Sequence, residues 1–315
     1  MAWRACISRA RRLNPTAGFC DNAHSQFPRA RRVDQRAASP TVLLSFMKYW
    51  LSLLCLPLLA SCGGSDTSAV FDISSTPLHY GTVANFAFSG SVVGNQGLKA
   101  DIPNCVSQVT LVSTSTQLGI RCILTVSGDI PVKVLDGAGT VVYTKTFNVP
   151  APQVTFSTSK GDIVAELNPN ATPVTVNNFL RYVQSGFYAN TLFHRVIPKF
   201  VIQGGGFVSG LTPQTGEQAA IALETNKGLS NLRGTLAMAR TDEPNSATSQ
   251  FYFNLADNPT LDYQNATNPG YAVFGKIVQG LDVMDAIGGV PTSVQQGQPN
   301  VPVDEVVVKS VTRTQ

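Results

Sequence analysis

The period of the apolar positions changes along the chain, and the changes divide it. Through residues 69–148 apolar side chains alternate with small or polar ones in short runs, as in Phe71-Asp72-Ile73 and Phe86-Ala87-Phe88. Residues 109–112 and 120–126 continue the alternation. A period of two turns one side of a strand inward and the other outward. Residues 130–135 and 140–147 flank Asp136-Gly137-Ala138-Gly139, which predicts a hairpin. No helical period interrupts this region. Short strands at this spacing predict a small β-sandwich.

Val149-Pro150-Ala151-Pro152 reads as a stiff linker, so a domain boundary falls at 149–152. Beyond it, in 153–315, the pattern is mixed. Residues 154–158 and 162–167 flank Lys160-Gly161 and predict an opening hairpin. Thr172 is placed to cap a helix with Pro173 in its first turn. Val176, Phe179, Leu180 and Val183 share one face of that helix, and Gly186 ends it. Two strands follow within 193–206, with a turn at Pro198-Lys199. Residues 211–226 read as a polar loop, in which Glu224 is a solvated charge, as are Asp242 and Glu243 further on. Further strands are predicted at 234–240, near 251–254, at 271–278 and at 304–311, with a short second helix over 281–287. About eight strands with two helices predict a mainly β fold, an antiparallel barrel with helical caps.

The chain has 315 residues, which suits about two domains. Its formal net charge of +4 hides an asymmetry. Residues 1–61 hold nine Lys/Arg against two acids, whereas the remainder holds 14 basic and 17 acidic residues. The body of the protein is mildly acidic, which argues against nucleic-acid binding. Residues 1–46 are Arg-rich without any period and read as an upstream extension from a mis-assigned start codon. Met47-Lys48 then opens a basic start, an apolar stretch over 49–58 and small residues, the layout of a secretory signal over 47–61. The stretch is too short to span a bilayer. Leu59-Ala60-Ser61-Cys62 resembles a bacterial lipobox. That resemblance implies a lipoprotein whose mature N-terminus is a lipidated Cys62, with 62–68 as a flexible tether. It places the protein in the periplasm, anchored to the membrane, and Gly63 after the cysteine favours the outer membrane.

Residues 69–148 resemble bacterial immunoglobulin-like modules by pattern, and suit a spacer or docking role. Cys105 and Cys122 are the cysteines that remain after Cys62. In an exported chain two such cysteines invite a disulfide, the alternative being two buried thiols. His79 is the nearby histidine, and no clustered carboxylates accompany the thiols, so no metal site is expected.

The most informative stretch runs Phe193-His194-Arg195-Val196-Ile197-Pro198-Lys199-Phe200-Val201-Ile202-Gln203-Gly204-Gly205-Gly206. It sets a guanidinium, an amide and large apolar side chains within a few residues. With Met238-Ala239-Arg240, Ser249-Gln250-Phe251 and Val273-Phe274-Gly275-Lys276, it makes 153–315 resemble the cyclophilins, a peptidyl-prolyl cis-trans isomerase family, most of all periplasmic bacterial members. The resemblance implies an eight-stranded antiparallel barrel capped by two helices, with the active site on its outer face. It implies catalysis by Arg195, with Gln203 holding it and the client backbone. It implies a proline pocket from Phe200, Val201, Tyr252 and Leu261. Ala239 and Arg240 would meet the client through their backbone, with the Arg240 side chain a solvated rim charge. Gln250 is a further polar contact, and Tyr271 stands where many members have His. Thr260 replaces a frequent Trp or Phe, which implies weak cyclosporin binding. Tyr252 adds a hydroxyl to the usual Phe. His194 reads as a structural side chain, and Gly204-Gly205-Gly206 as a tight bend where the strand leaves the site.

The chemistry suits those residue types. Rotation about a peptide bond faces a barrier of about 18–20 kcal/mol because the C–N bond has double-bond character. Twisting localises a lone pair on the proline nitrogen. A guanidinium aimed there stabilises the twisted state more than the planar one. No cofactor is needed. The expected partners are proline-containing polypeptides and, through the lipid, a membrane. The competing reading is a non-catalytic envelope module that holds proline-containing partners.

Overall fold

The computed structural model describes residues 72–90 and 98–315. The expectations for the extension, the signal peptide, the lipidated Cys62 and the tether lie outside the described residues. Seven strands precede the linker: β1 (Asp72–Ser75), β2 (Val83–Ser89), β3 (Lys99–Asp101), β4 (Cys105–Ser113), β5 (Gln117–Leu124), β6 (Gly128–Leu135) and β7 (Val141–Val149). They form two sheets, β1-β2-β5-β4 and β3-β6-β7. That order is the one found in seven-strand immunoglobulin sandwiches. Alternation drives the packing. Ala84, Phe86 and Phe88 of β2 meet Ile130, Val132 and Val134 of β6 in one core. The β6–β7 hairpin closes through Asp136, whose Oδ1 accepts the N–H groups of Ala138 (2.9 Å) and Thr140 (2.8 Å). Cys105 and Cys122 form a disulfide. It joins adjacent strands β4 and β5 of one sheet, so it staples an edge and does not bridge the two layers.

After the linker come β8 (Gln153–Thr158), β9 (Gly161–Leu167), α1 (Pro173–Gln184), β10 (Thr191–Ile197), β11 (Val201–Val208) and β12 (Thr212–Pro213). They are followed by β13 (Thr235–Met238), β14 (Phe251–Asn254), β15 (Val273–Gln279), α2 (Leu281–Gly288), β16 (Thr292–Gln295), β17 (Gln298–Pro302) and β18 (Val307–Arg313). The order β10-β18-β8-β9-β15-β13-β14-β11 returns to β10 through the β10–β11 pairing, which closes an eight-stranded antiparallel barrel. Phe156, Phe251, Phe253 and Phe274 are fully buried, so the interior is a packed core. Phe179 of α1 packs on Phe274 at 5.2 Å between ring centroids, which seats that helix on the barrel. The β16–β17 hairpin and the later start of the last strand were not legible, because 292–302 is polar with no alternation.

Three local expectations are corrected. Thr172 makes no side-chain cap to α1; its hydroxyl donates to the Asn168 carbonyl at 3.3 Å. The cap comes from Glu224, which is therefore no solvated charge. Its carboxylate accepts the N–H groups of Val174 (3.1 Å) and Thr175 (2.8 Å). A carboxylate at a helix N-terminus satisfies orphan donors and meets the positive end of the dipole. The glycine run 204–206 is not a bend out of the strand, since all three lie inside β11. Glycine is needed there for close approach. A Cβ on Gly206 would lie 2.6 Å from Cδ of Gln250. Gly205 has φ +84°, and a Cβ there would crowd Tyr188 and Phe251.

The sandwich and the barrel belong to one compact unit. Tyr80, from the sandwich side of the linker, is buried in the barrel's core cluster. Its hydroxyl donates to Oδ1 of Asn177 at 2.9 Å, and Nη2 of Arg313 donates to its carbonyl at 2.6 Å. Asn170 and Ser127 exchange two further bonds, at 2.8 and 3.0 Å. The linker therefore joins docked bodies. Tyr80→Ala is expected to cost about 3 kcal/mol, in the range for truncating a buried aromatic. Differential scanning calorimetry should show one thermal transition in the wild type splitting into two in the variant.

Candidate active site

Arg195 reaches the outer face of the barrel because of a β-bulge. Phe193 pairs with Gly204 and Arg195 with Gln203, so two steps along β10 match one along β11. Without that extra residue Arg195 would share the inward face of Phe193, which lies in the barrel core. The bulge turns it outward. Regular alternation resumes at once, with Val196 and Ile202 paired and both in the core. The same register carries the row across the sheet. Gln203 pairs with Tyr252, and Tyr252 with Ala237. Phe251 and Phe253 flank Tyr252 in β14 and point inward. Ala237 and Tyr252 join Val201 and Val273 in a second apolar cluster, separate from the core.

Nine of the ten residues expected at the site line one cavity of about 290 Å³: Arg195, Phe200, Val201, Gln203, Ala239, Arg240, Tyr252, Leu261 and Tyr271. Gln250 stands behind it. Nη1 of Arg195 donates to Oε1 of Gln203 at 3.3 Å, and Nε2 of Gln203 donates to Oε1 of Gln250 at 3.0 Å. Gln250 in turn packs on bare Gly206. Among the described residues no carboxylate lies within ion-pair distance of Arg195. Its charge is thus held by a neutral amide and left unneutralised. The N–H of Ala239 is engaged with the Gln250 carbonyl at 2.9 Å.

The Arg240 side chain is not a solvated rim charge. Its guanidinium lies 4.6 Å from the centroid of the Tyr271 ring. Nε donates to the Gly270 carbonyl at 3.0 Å and Nη1 to the Thr241 carbonyl at 2.7 Å. It clamps Tyr271, whose ring stands edge-on to Tyr252 at 5.9 Å. The N–H of Tyr271 reaches the Leu261 carbonyl at 2.9 Å, which ties that wall to the next. Thr260 is exposed and offers no aromatic surface.

His194 sits inside the bulge, 5% exposed, with its ring 4.7 Å from that of Phe207. Burial lowers its pKa to about 4; contact with the Leu192 backbone acts the other way and is outweighed. It is therefore neutral near pH 7. Burial also holds the Tyr252 phenol well above its ordinary value, so the hydroxyl remains a donor. It donates to Oδ1 of Asn231 at 2.7 Å. Burial pushes the Asp262 carboxyl up, but hydrogen bonds from Ser230 and Asn231 outweigh this and hold it below the usual carboxylate value. Asn231, Asn254, Asn258 and Asp262 were missed in the sequence. The available signal was the cluster of amides around Phe251-Tyr252-Phe253, since buried amides require partners.

The family model for cyclophilin type peptidyl-prolyl cis-trans isomerase/CLD matches residues 153–313. Peptidyl-prolyl cis-trans isomerase B of Escherichia coli (strain K12) is 48% identical over 161 residues, which cover 50% of this chain and 98% of that protein. A peptidyl-prolyl cis-trans isomerase of Acinetobacter baylyi is 49% identical over 158 residues, covering 50% of this chain and 83% of its own. A crystal structure of a Cryptosporidium parvum cyclophilin is 28% identical, covers 52% of this chain and 98% of that one, and has a TM-score of 0.46. Through residues 153–313 this chain belongs to the cyclophilin-type peptidyl-prolyl cis-trans isomerases.

Proposed function

We propose that the isomerisation runs in the Arg195 cavity, on Xaa-Pro bonds of exported polypeptides, at the membrane of a bacterial envelope. The observation that carries the site is the outward row Arg195–Gln203–Tyr252 beside an apolar pocket. The client's proline ring enters against Phe200, Val201, Tyr252 and Leu261. The ring is held while the residue before it rotates. As conjugation breaks, the guanidinium of Arg195 donates to the proline nitrogen. Gln203, braced by Gln250, keeps the guanidinium aimed, so little reorganisation is needed when the lone pair develops. Proton transfer takes no part, which fits the neutral His194.

The lipid anchor rests on Leu59-Ala60-Ser61-Cys62, and the exported compartment also suits the Cys105–Cys122 disulfide. The sandwich is read as an immunoglobulin-like module that carries the barrel away from the membrane. Mass spectrometry of the mature N-terminus is expected to find an acylated Cys62; an unmodified chain beginning at Met1 would reject the anchor. Cyclosporin is expected to bind weakly, because Thr260 gives it no aromatic contact.

Two predictions follow from the site. Arg195→Ala should lower kcat/KM for a Xaa-Pro peptide by about 100- to 1000-fold, the scale for losing one preorganised donor. A protease-coupled assay with circular dichroism of both proteins checks it; unchanged activity in a folded variant would count against Arg195. The second concerns pH. The His194 pKa of about 4 lies below its unfolded value near 6.5, so the unfolded state binds the extra proton between them. Stability is expected to be full above about pH 6.5 and to fall by up to about 3 kcal/mol as pH drops towards 4. Urea titrations at several pH values measure this, and His194→Phe should flatten the slope.

A further inference from the structure

Behind the proline pocket lies a set of buried polar side chains that bond rotation does not itself require. Asn231 and Asn254 are fully buried, and Asn258 is 8% exposed. Amides pay heavily for burial unless every group finds a partner. Asn231 is the hub. Its Oδ1 accepts from the Tyr252 hydroxyl at 2.7 Å and from Nδ2 of Asn254 at 3.2 Å. Its backbone N–H and its Nδ2 both donate to Oδ1 of Asp262, at 2.7 and 2.8 Å. Asn258 extends the network, donating to Oδ1 of Asn254 at 2.8 Å and to the Phe200 carbonyl at 3.0 Å.

Each branch ends on a wall of the pocket. Tyr252 is one surface. Asp262 directly follows Leu261, on a second wall. Phe200 is the third. Those walls come from separate elements: β14, the turn after it, and the approach to β11. No apolar contact alone would set their spacing, because dispersion is non-directional and tolerates sliding. Hydrogen bonds to both ends of one amide do set it, since an amide's donors and acceptor are fixed in direction.

We infer that Asn231 is a positioning residue that sets the width of the proline pocket through the Tyr252 hydroxyl and Asp262, and so governs client affinity and not the rotation rate. The division follows from the chemistry. The ring is gripped alike in the planar and the twisted states, so its pocket supplies uniform binding. Loss of uniform binding raises KM and leaves kcat. Arg195 acts on the rotating bond and belongs to the other class. The inference rests on the Arg195 cavity being the client site.

The test is steady-state kinetics on a chromogenic Xaa-Pro peptide, at a temperature where calorimetry shows every variant folded. Tyr252→Phe, Asn231→Ala, their double variant and Arg195→Ala are compared with the wild type. Tyr252→Phe, which loses one hydrogen bond, should raise KM about 3- to 10-fold, and Asn231→Ala, which loses three side-chain bonds, should raise it at least as much, each with kcat within about twofold. The double variant should be no worse than Asn231→Ala, because the hydroxyl then has no partner to lose. Tyr252→Phe removes a single hydroxyl and carries the test alone if Asn231→Ala does not fold. Reduced thermal stability with KM at the wild-type value would overturn the inference, as would a fall in kcat at constant KM. Full kcat in Arg195→Ala would instead reject the client-site assignment, and the inference with it.

Discussion

The site depends on one extra residue in β10. A strand alternates strictly, so Phe193 and Arg195 should point the same way. The interior is filled with aromatic rings, and a guanidinium placed there would be a buried, unpaired charge costing several kcal/mol. The bulge at His194 resolves the conflict by turning Arg195 out while Phe193 stays in. His194 fills the bulge as a neutral, buried ring, which is why burial depresses its pKa.

Around this point the outer face is organised by two polar systems. One is the amide relay Arg195–Gln203–Gln250, which ends on Gly206 and aims a charge without neutralising it. The other is the asparagine network, which ties Tyr252, Leu261 and Phe200 together from behind. Arg240 and Tyr271 close the rim. The apolar cluster of the pocket is separate from the barrel core, so its shape is set by these bonds more than by core packing. Asn231, Asn254 and Tyr252 are buried, so a bond lost among them leaves an unpaired group behind.

The sandwich is held by the barrel as well as joined to it. Tyr80 is buried with barrel residues, and Arg313 of the last strand reaches back to its carbonyl. The three residues between β7 and β8 leave little slack for independent motion. The module is therefore a fixed arm for the barrel.

Much was legible in the sequence because it is local. Period-two runs placed most strands of both bodies, Pro173 and Gly186 bounded α1, and the resemblance to the cyclophilins named nine residues that share one cavity. What escaped depends on partners far along the chain. Glu224 looks like a loop charge until α1 lies 50 residues upstream of it in contact. Gly206 looks like a turn residue until Gln250 packs on its bare face. Arg240 looks solvated until Tyr271 stands under it. The asparagines carry no period, since an amide is stabilised by whichever donor and acceptor the fold delivers. Sequence alone determined most of the strands and both helices, because backbone sterics and alternation act between neighbours. Tertiary closure decided where Arg195 points, what caps α1 and how wide the pocket stands, because hydrogen bonds and bulges exist only between strands already paired.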